Sequence, residues 1–174
     1  VISIVGFALF ADVGSKLFTG LFTYLHKWRF NDLLFSLGYG VLKDPELAID
    51  DVALELLRRT FSGLLIAVAI WAGWRFSDPF RALFIILGAY VLLSPTLHPW
   101  YLLWILPFMA LFPNLAWLLL SGLIFLAYEV LIGYGKDLVW HESDWVKWTQ
   151  FVPFYVVVLA SPIYRRWRSA AAAE

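Results

Sequence analysis

The sequence contains no cysteine, a single methionine and few charges: 15% of its 174 residues are Asp, Glu, Lys or Arg, and 13 basic residues balance 13 acidic ones. Without cysteine there are no disulfides, thiolate nucleophiles or cysteine metal sites. His26, His98 and His141 are widely spaced and joined by no HxxxH or HxxE pattern, so no metal site is expected. No basic run of the kind that tracks a phosphate backbone occurs, which sets nucleic acid aside as a partner. GxSxG, the P-loop, GxGxxG and the charge series of voltage sensors are also missing. No nucleotide chemistry is visible, and no cofactor is expected. There is no internal repeat, and the only low-complexity stretch is the terminal SAAAAE.

What is present is oily and aromatic. Hydrophobic residues make up 62% of the chain, against roughly 45–50% in soluble domains. Ten tryptophans, fifteen phenylalanines and eight tyrosines exceed what a core needs, whereas such rings are favoured where hydrocarbon meets headgroup. A bilayer core of about 30 Å takes roughly 20 apolar residues per helix, fewer where flanking residues snorkel. Five segments come close: Thr60–Phe76, Arg81–Leu93, Trp100–Phe112 with Pro107 inside it, Leu115–Tyr134, and Thr149–Tyr164. Each is apolar on nearly every face, unlike the striped helix of a soluble protein. Val1–Ala11 reads as the end of a truncated further span, and the start at Val1, without a signal-peptide pattern, suggests the C-terminal part of something longer.

Residues 16–59 differ in being striped. Leu17, Leu21, Leu25 and Trp28 recur at helical spacing while Lys16, Thr19, Thr23, His26 and Lys27 fall elsewhere, as in a helix lying in the membrane interface. Asn31 or Asp32 can cap a second short helix that Gly38 and Gly40 end. Asp44-Pro45-Glu46 starts a third, running through ELAIDDVALELLRR to the membrane. The expected fold is therefore all-α: a polytopic transmembrane helix bundle with interfacial amphipathic helices on one face. It forms a single membrane domain over 1–174, made of a truncated span (1–11), an amphipathic platform (12–59), five transmembrane segments (60–164) and a tail (165–174).

Antiparallel counting puts 12–59, 94–99 and 135–148 on one side, and 75–81, Pro113-Asn114 and the RRWR tail on the other. Raw counts of Lys and Arg favour the first side as cytoplasmic; density favours the second, where Arg75, Arg81, Arg165, Arg166 and Arg168 crowd the segment ends. Density is followed here, making the platform and the His98 loop external and the tail cytoplasmic.

Two ionisable residues intrude on the apolar pattern. His98 stands between Pro95 and Pro99 and ahead of Trp100, Tyr101 and Trp104. Read blandly, this is a proline turn with interfacial anchors. Read functionally, it is a ring of ordinary pKa about 6.5 at a bundle mouth, able to meet an anionic headgroup. Glu129 falls about five residues inside its apolar segment, where a carboxylate either pairs, with His98, Lys136 or Arg58, or faces a wet cavity. Lys27, Arg29, Lys43, Arg58, Arg59, Lys136 and Lys147 either ring a phosphate or are simply solvated. Asp137, Glu142 and Asp144 among Trp140, His141, Trp145 and Trp148 fit a sugar, or an interfacial tryptophan belt.

TYLHKWRFNDLLFSLG (Thr23–Gly38), a DPEL helix start, and LSPTLHPWYLLWILPFMAL (Leu93–Leu111) together resemble the C-terminal half of polytopic membrane glycosyltransferases of the GT-C class, notably bacterial polyprenyl-phosphate-mannose-dependent mannosyltransferases. The resemblance implies an inverting hexosyltransferase in the bacterial plasma (inner) membrane with its active site facing outside. It would take a sugar, most simply mannose, from a polyprenyl-phosphate donor to a glycan or glycolipid acceptor, with membrane lipid as its surroundings. It further implies that His98, Arg29, Lys43 and Arg58 stabilise the leaving phosphate, that Trp100 and Tyr101 pack on lipid or sugar, and that Asn31 meets sugar hydroxyls or caps its helix. With Glu129 these make up the expected substrate-binding set. The family's catalytic carboxylate lies in an early external loop that nothing here matches, so this chain alone is not expected to catalyse. The competing reading is a non-catalytic membrane subunit or a lipid or solute transporter, with Glu129 and His98 lining a path.

Overall fold

A computed structural model describes residues 14, 16, 18–42 and 50–171. Val1–Ala11, Asp12 and Lys43 lie outside the described residues. Among the described residues the fold is all-helical. Its α-helices, from the first described here, are α1 (Thr19–Lys27), α2 (Leu33–Leu42), α3 (Asp50–Arg75), α4 (Pro79–Leu93), α5 (Leu115–Leu123), α6 (Glu129–Asp137) and α7 (Asp144–Ala171).

Local chemistry sets most boundaries. Asp78 caps α4 by accepting from the Phe80 amide at 3.0 Å, with Pro79 in the first turn, where a missing N–H costs nothing. Asn114 caps α5 by accepting from the amides of Ala116 and Trp117. Between α4 and α5, the expected segment Trp100–Phe112 is not α-helical but two 3-10 helices, Pro99–Trp104 and Leu106–Ala110. Pro107 has no N–H to give and its ring would strike the carbonyl four residues back, so the backbone tightens into three-residue turns, such as Phe108 N to Ile105 O at 3.0 Å. The run from Leu115 also tightens, at Ile124–Tyr128, immediately before Glu129 opens α6.

Two other expectations give way. Gly38 and Gly40 do not end α2, which runs through both to Leu42. A Cβ on Gly38 would lie 2.9 Å from Leu57 Cδ2, so this glycine serves the close approach of α2 to α3 rather than a stop. Asn31 does not cap α2 either: at φ +54 it sits in the left-handed region, and its side chain is turned towards α7. The platform helix and the first apolar segment are continuous, since α3 passes residue 59 without a break.

The core lies where α4, the 3-10 pair, α5 and α7 converge, on Val91, Leu102, Ile105, Leu120, Ile124 and Phe154. Gly88 gives α4 its approach to α5, for a Cβ there would lie 2.9 Å from Trp117 Cζ2. Outside this core the surface is unusually apolar: Ile70, Trp74, Leu115, Phe125, Ile132 and Leu159 are all exposed. Among the described residues one helical run, Leu115–Lys136, is long and apolar enough to cross a membrane, and only 33% of its span-length window is buried. A core helix of a soluble protein would be mostly covered.

Candidate functional site

The stretches Trp28–Asn31 and Ser94–Tyr101 meet in space. The Phe30 amide donates to Pro95 O at 3.1 Å and the Leu97 amide donates to Phe30 O at 2.8 Å, an isolated parallel bridge of Phe30 with Thr96. The Trp28 carbonyl accepts from Thr96 Oγ1 and from Arg58 Nη2, both at 3.2 Å, so one main-chain oxygen ties α3 to the prolyl loop. Ser94 Oγ holds that loop from within, donating to Thr96 O and accepting from its amide.

Above the bridge, His98 sits in an aromatic box. It stacks on Trp100 at 4.3 Å and 7°, stands edge-on to Tyr101 and lies 5.0 Å from the Phe30 ring. Burial lowers its pKa below the ordinary value, with Glu142 pulling weakly the other way, so the ring is neutral at pH 7. Tyr101 shares a hydroxyl–hydroxyl hydrogen bond of 2.6 Å with Tyr24 of α1.

Tyr24 leads into a cleft of about 220 Å³ between α1, α2, α3 and the end of α4. Its polar wall includes Arg58, Tyr24, Tyr90 and Ser94; Phe61 and Leu65 form its apolar wall. Arg58 lies 5.6 Å from the Phe35 ring centre, and its pKa is lowered first by burial and then by Arg29. It remains charged, but with part of its hydration lost, so an anion in the cleft would gain more there than at a solvated cation.

Arg29 and Asn31 belong to a neighbouring network. Arg29 Nε pairs with Asp32 at 2.8 Å while its guanidinium lies over Phe35 and Tyr39. Asp32, 3% exposed, also accepts from Ser36 Oγ at 2.5 Å and faces Lys147 at 3.5 Å; Lys147 in turn faces Glu142 at 3.3 Å. The Asn31 amide donates to Glu142, and Asn31 Nδ2 donates to the fully buried Gln150 Oε1 at 2.8 Å. Two cations and two carboxylates thus neutralise one another while pinning the segment before α2 to the start of α7.

The expected site residues are therefore divided. His98, Trp100 and Tyr101 share the aromatic box, Arg58 lines the cleft, and Arg29 and Asn31 are engaged in the network. Glu129 lines a second, small cavity and forms none of the pairings with His98, Lys136 or Arg58 considered above. Tyr24, Thr96 and Gln150 were not singled out from sequence, and Asp32 was read only as a cap. Gln150 left a trace, as the one amide in the apolar run Thr149–Tyr164; Asp32 and Lys147 are 115 positions apart in a chain that shows nothing to couple them. No group of three or more His, Asp or Glu able to hold a metal occurs among the described residues.

None of the curated proteins and no solved structure matches the chain. The family described as the MptB C-terminal domain matches residues 50–163, from the start of α3 nearly to the end of α7. That range takes in the SPTLHPWY loop and Arg58, and leaves Trp28–Asn31 outside it. Because the match covers well over half of the sequence, the chain belongs to the MptB C-terminal domain family, named for a mannosyltransferase of the GT-C type.

Proposed function

We infer that the chain is the C-terminal, donor-binding part of an integral membrane glycosyltransferase, which moves mannose from a polyprenyl phosphate to a glycan or glycolipid on the outer face of a bacterial plasma membrane. The observation that carries this reading is the Arg58 cleft. It combines a partly desolvated guanidinium and two phenols with an apolar wall continuing along α3, a pairing that suits an anionic head on a hydrocarbon tail. As the glycosyl bond breaks, negative charge grows on the departing phosphate, and a fixed cation stabilises that transition state more than the ground state. His98, neutral at pH 7, serves as a hydrogen-bonding ring; Trp100 and Tyr101 pack against lipid or sugar; Arg29 acts by positioning.

The polytopic arrangement belongs to the same reading. The 3-10 pair rises about 2 Å per residue, so residues 99–110 cover about 24 Å, most of a bilayer core in an unusually short stretch. Hydrogen bonds join Phe30 and Asn31 to Pro95, Leu97, Glu142 and Gln150, which supports a common side for the stretches 12–59, 94–99 and 135–148.

Transfer from a polyprenyl-phosphate mannose donor in proteoliposomes tests this function. Arg58→Gln should lower kcat/KM by roughly 100-fold, the scale of losing one charge-stabilising donor. Full activity in that variant would remove the cleft as the donor site, and full activity of His98→Ala would end any part for His98 at the phosphate.

A further inference from the structure

A second cavity, sharing no lining residue with the Arg58 cleft, is lined by Phe30, Asn31, Glu129, Glu142, Ser143 and Lys147 among others. Its volume is about 10 Å³, room for one water-sized group. One buried hydrogen-bond acceptor beside it has no partner, and one carboxylate beside it is not engaged by the described residues. Asn31 is 2% exposed and spends its amide N–H on Glu142 and its Nδ2 on Gln150, yet its Oδ1 is buried without a partner. The Glu129 carboxylate forms no ion pair or hydrogen bond with any described residue. Glu142 is occupied by the Asn31 amide and Lys147, and Lys147 by Asp32, Glu142 and Ser36.

A group that fits must be no larger than a water and must donate: a hydroxyl. An anion is refused by the two carboxylates, and an apolar group would leave Asn31 Oδ1 unpaired at a cost. The surroundings decide what the hydroxyl is attached to. Phe30, in the cavity wall, packs 5.6 Å from Trp140, whose indole is half exposed and has Tyr134 6.1 Å away on another side. A molecule too large to enter could therefore insert one hydroxyl while its less polar face rests on the Trp140 ring, which describes a pyranoside.

We propose that this cavity is a hydroxyl-recognition subsite for the carbohydrate acceptor, a role that rests on the glycosyl-transfer reading above. Two opposed chemistries then serve two substrates: a cationic cleft for the lipid phosphate and an anionic notch for a neutral sugar. The opposite signs keep each substrate out of the other's place.

The test uses the full-length protein in nanodiscs with methyl α-D-mannopyranoside as probe, read by saturation-transfer NMR, alongside transfer kinetics. Glu129→Ala and Trp140→Leu should each weaken probe binding and raise the acceptor KM at least tenfold, leaving the donor KM unchanged. Arg58→Gln should lower the donor kcat/KM and leave probe binding unchanged, so the two readings fail separately: an unaltered donor kcat/KM in Arg58→Gln overturns the donor site, while probe binding, which needs no donor, still reports on the notch. Trp140→Leu lies at the surface, so its result stands even if Glu129→Ala misfolds. Undiminished probe binding in the folded variants, the cavity holding a structural water only, overturns the proposal.

Discussion

Asp32→Asn is the sharpest probe of the network that positions the site. Asp32 meets Arg29, Lys147 and Ser36, and its side chain is 1% exposed against 26% for Arg29 and 13% for Lys147. Removing its charge leaves Arg29 without a carboxylate partner and Lys147 with Glu142 alone, a surplus of one positive charge in a place largely closed to water. Breaking a buried pair costs about 3–5 kcal/mol; because Arg29 keeps some hydration, the lower end, about 3 kcal/mol, applies here. Adding Lys147→Met restores neutrality, so that second change should cost about 1–2 kcal/mol less in the Asp32→Asn background than in the wild type. Denaturant unfolding of the purified chain in detergent, followed by tryptophan fluorescence, gives all four corners of the cycle. Strictly additive losses, or an Asp32→Asn effect below about 1 kcal/mol, would refute the argument that these four charges act as one unit.

Gly88→Ala should destabilise the chain by about 1–3 kcal/mol, because its Cβ would meet the rigid, buried Trp117 ring. Gly38→Ala should cost less, since the Leu57 methyl it meets can change rotamer, and thermal melts compare the two. His98, with its folded pKa below the ordinary 6.5, disfavours protonation in the native state. Its contribution is present above about pH 6.5 and is lost as pH falls through the lowered folded value, so stability measured from pH 7 to 5 should decline less steeply in His98→Gln.

Sequence reading recovered what depends on near neighbours. The helical class follows from long apolar runs, the start of α5 at Leu115 from the apolar run after Pro113-Asn114, and the stop of α4 ahead of His98 from Pro95 and Pro99. Glu129, which intrudes on an apolar segment, lines a small cavity. The losses have definite causes. Gly38 carries the composition of a stop signal, but whether a glycine ends a helix or admits a neighbour depends on Leu57, nineteen positions away. Trp100–Phe112 has the hydropathy of an α-helix, and hydropathy is blind to the hydrogen-bond pattern that Pro107 removes. The pairing of Arg29 with Asp32 was hidden because Asp32, three residues on, reads equally well as a cap. Asn31 looked like a cap because its true partner lies on the last helix.

That last contact also bears on how the protein is made. The bridge between Phe30 and Thr96 cannot close until α3 and α4 have both left the ribosome, and the bonds from Asn31 to Glu142 and Gln150 span 111 and 119 positions. During synthesis the cleft therefore takes shape first and is locked only when the start of α7 emerges. Until then Arg29, Asp32 and Ser36 can pair only among themselves, Asn31 stays outside the network and the positive partner Lys147 is missing from it, so the segment before α2 gains its anchor only with the start of α7.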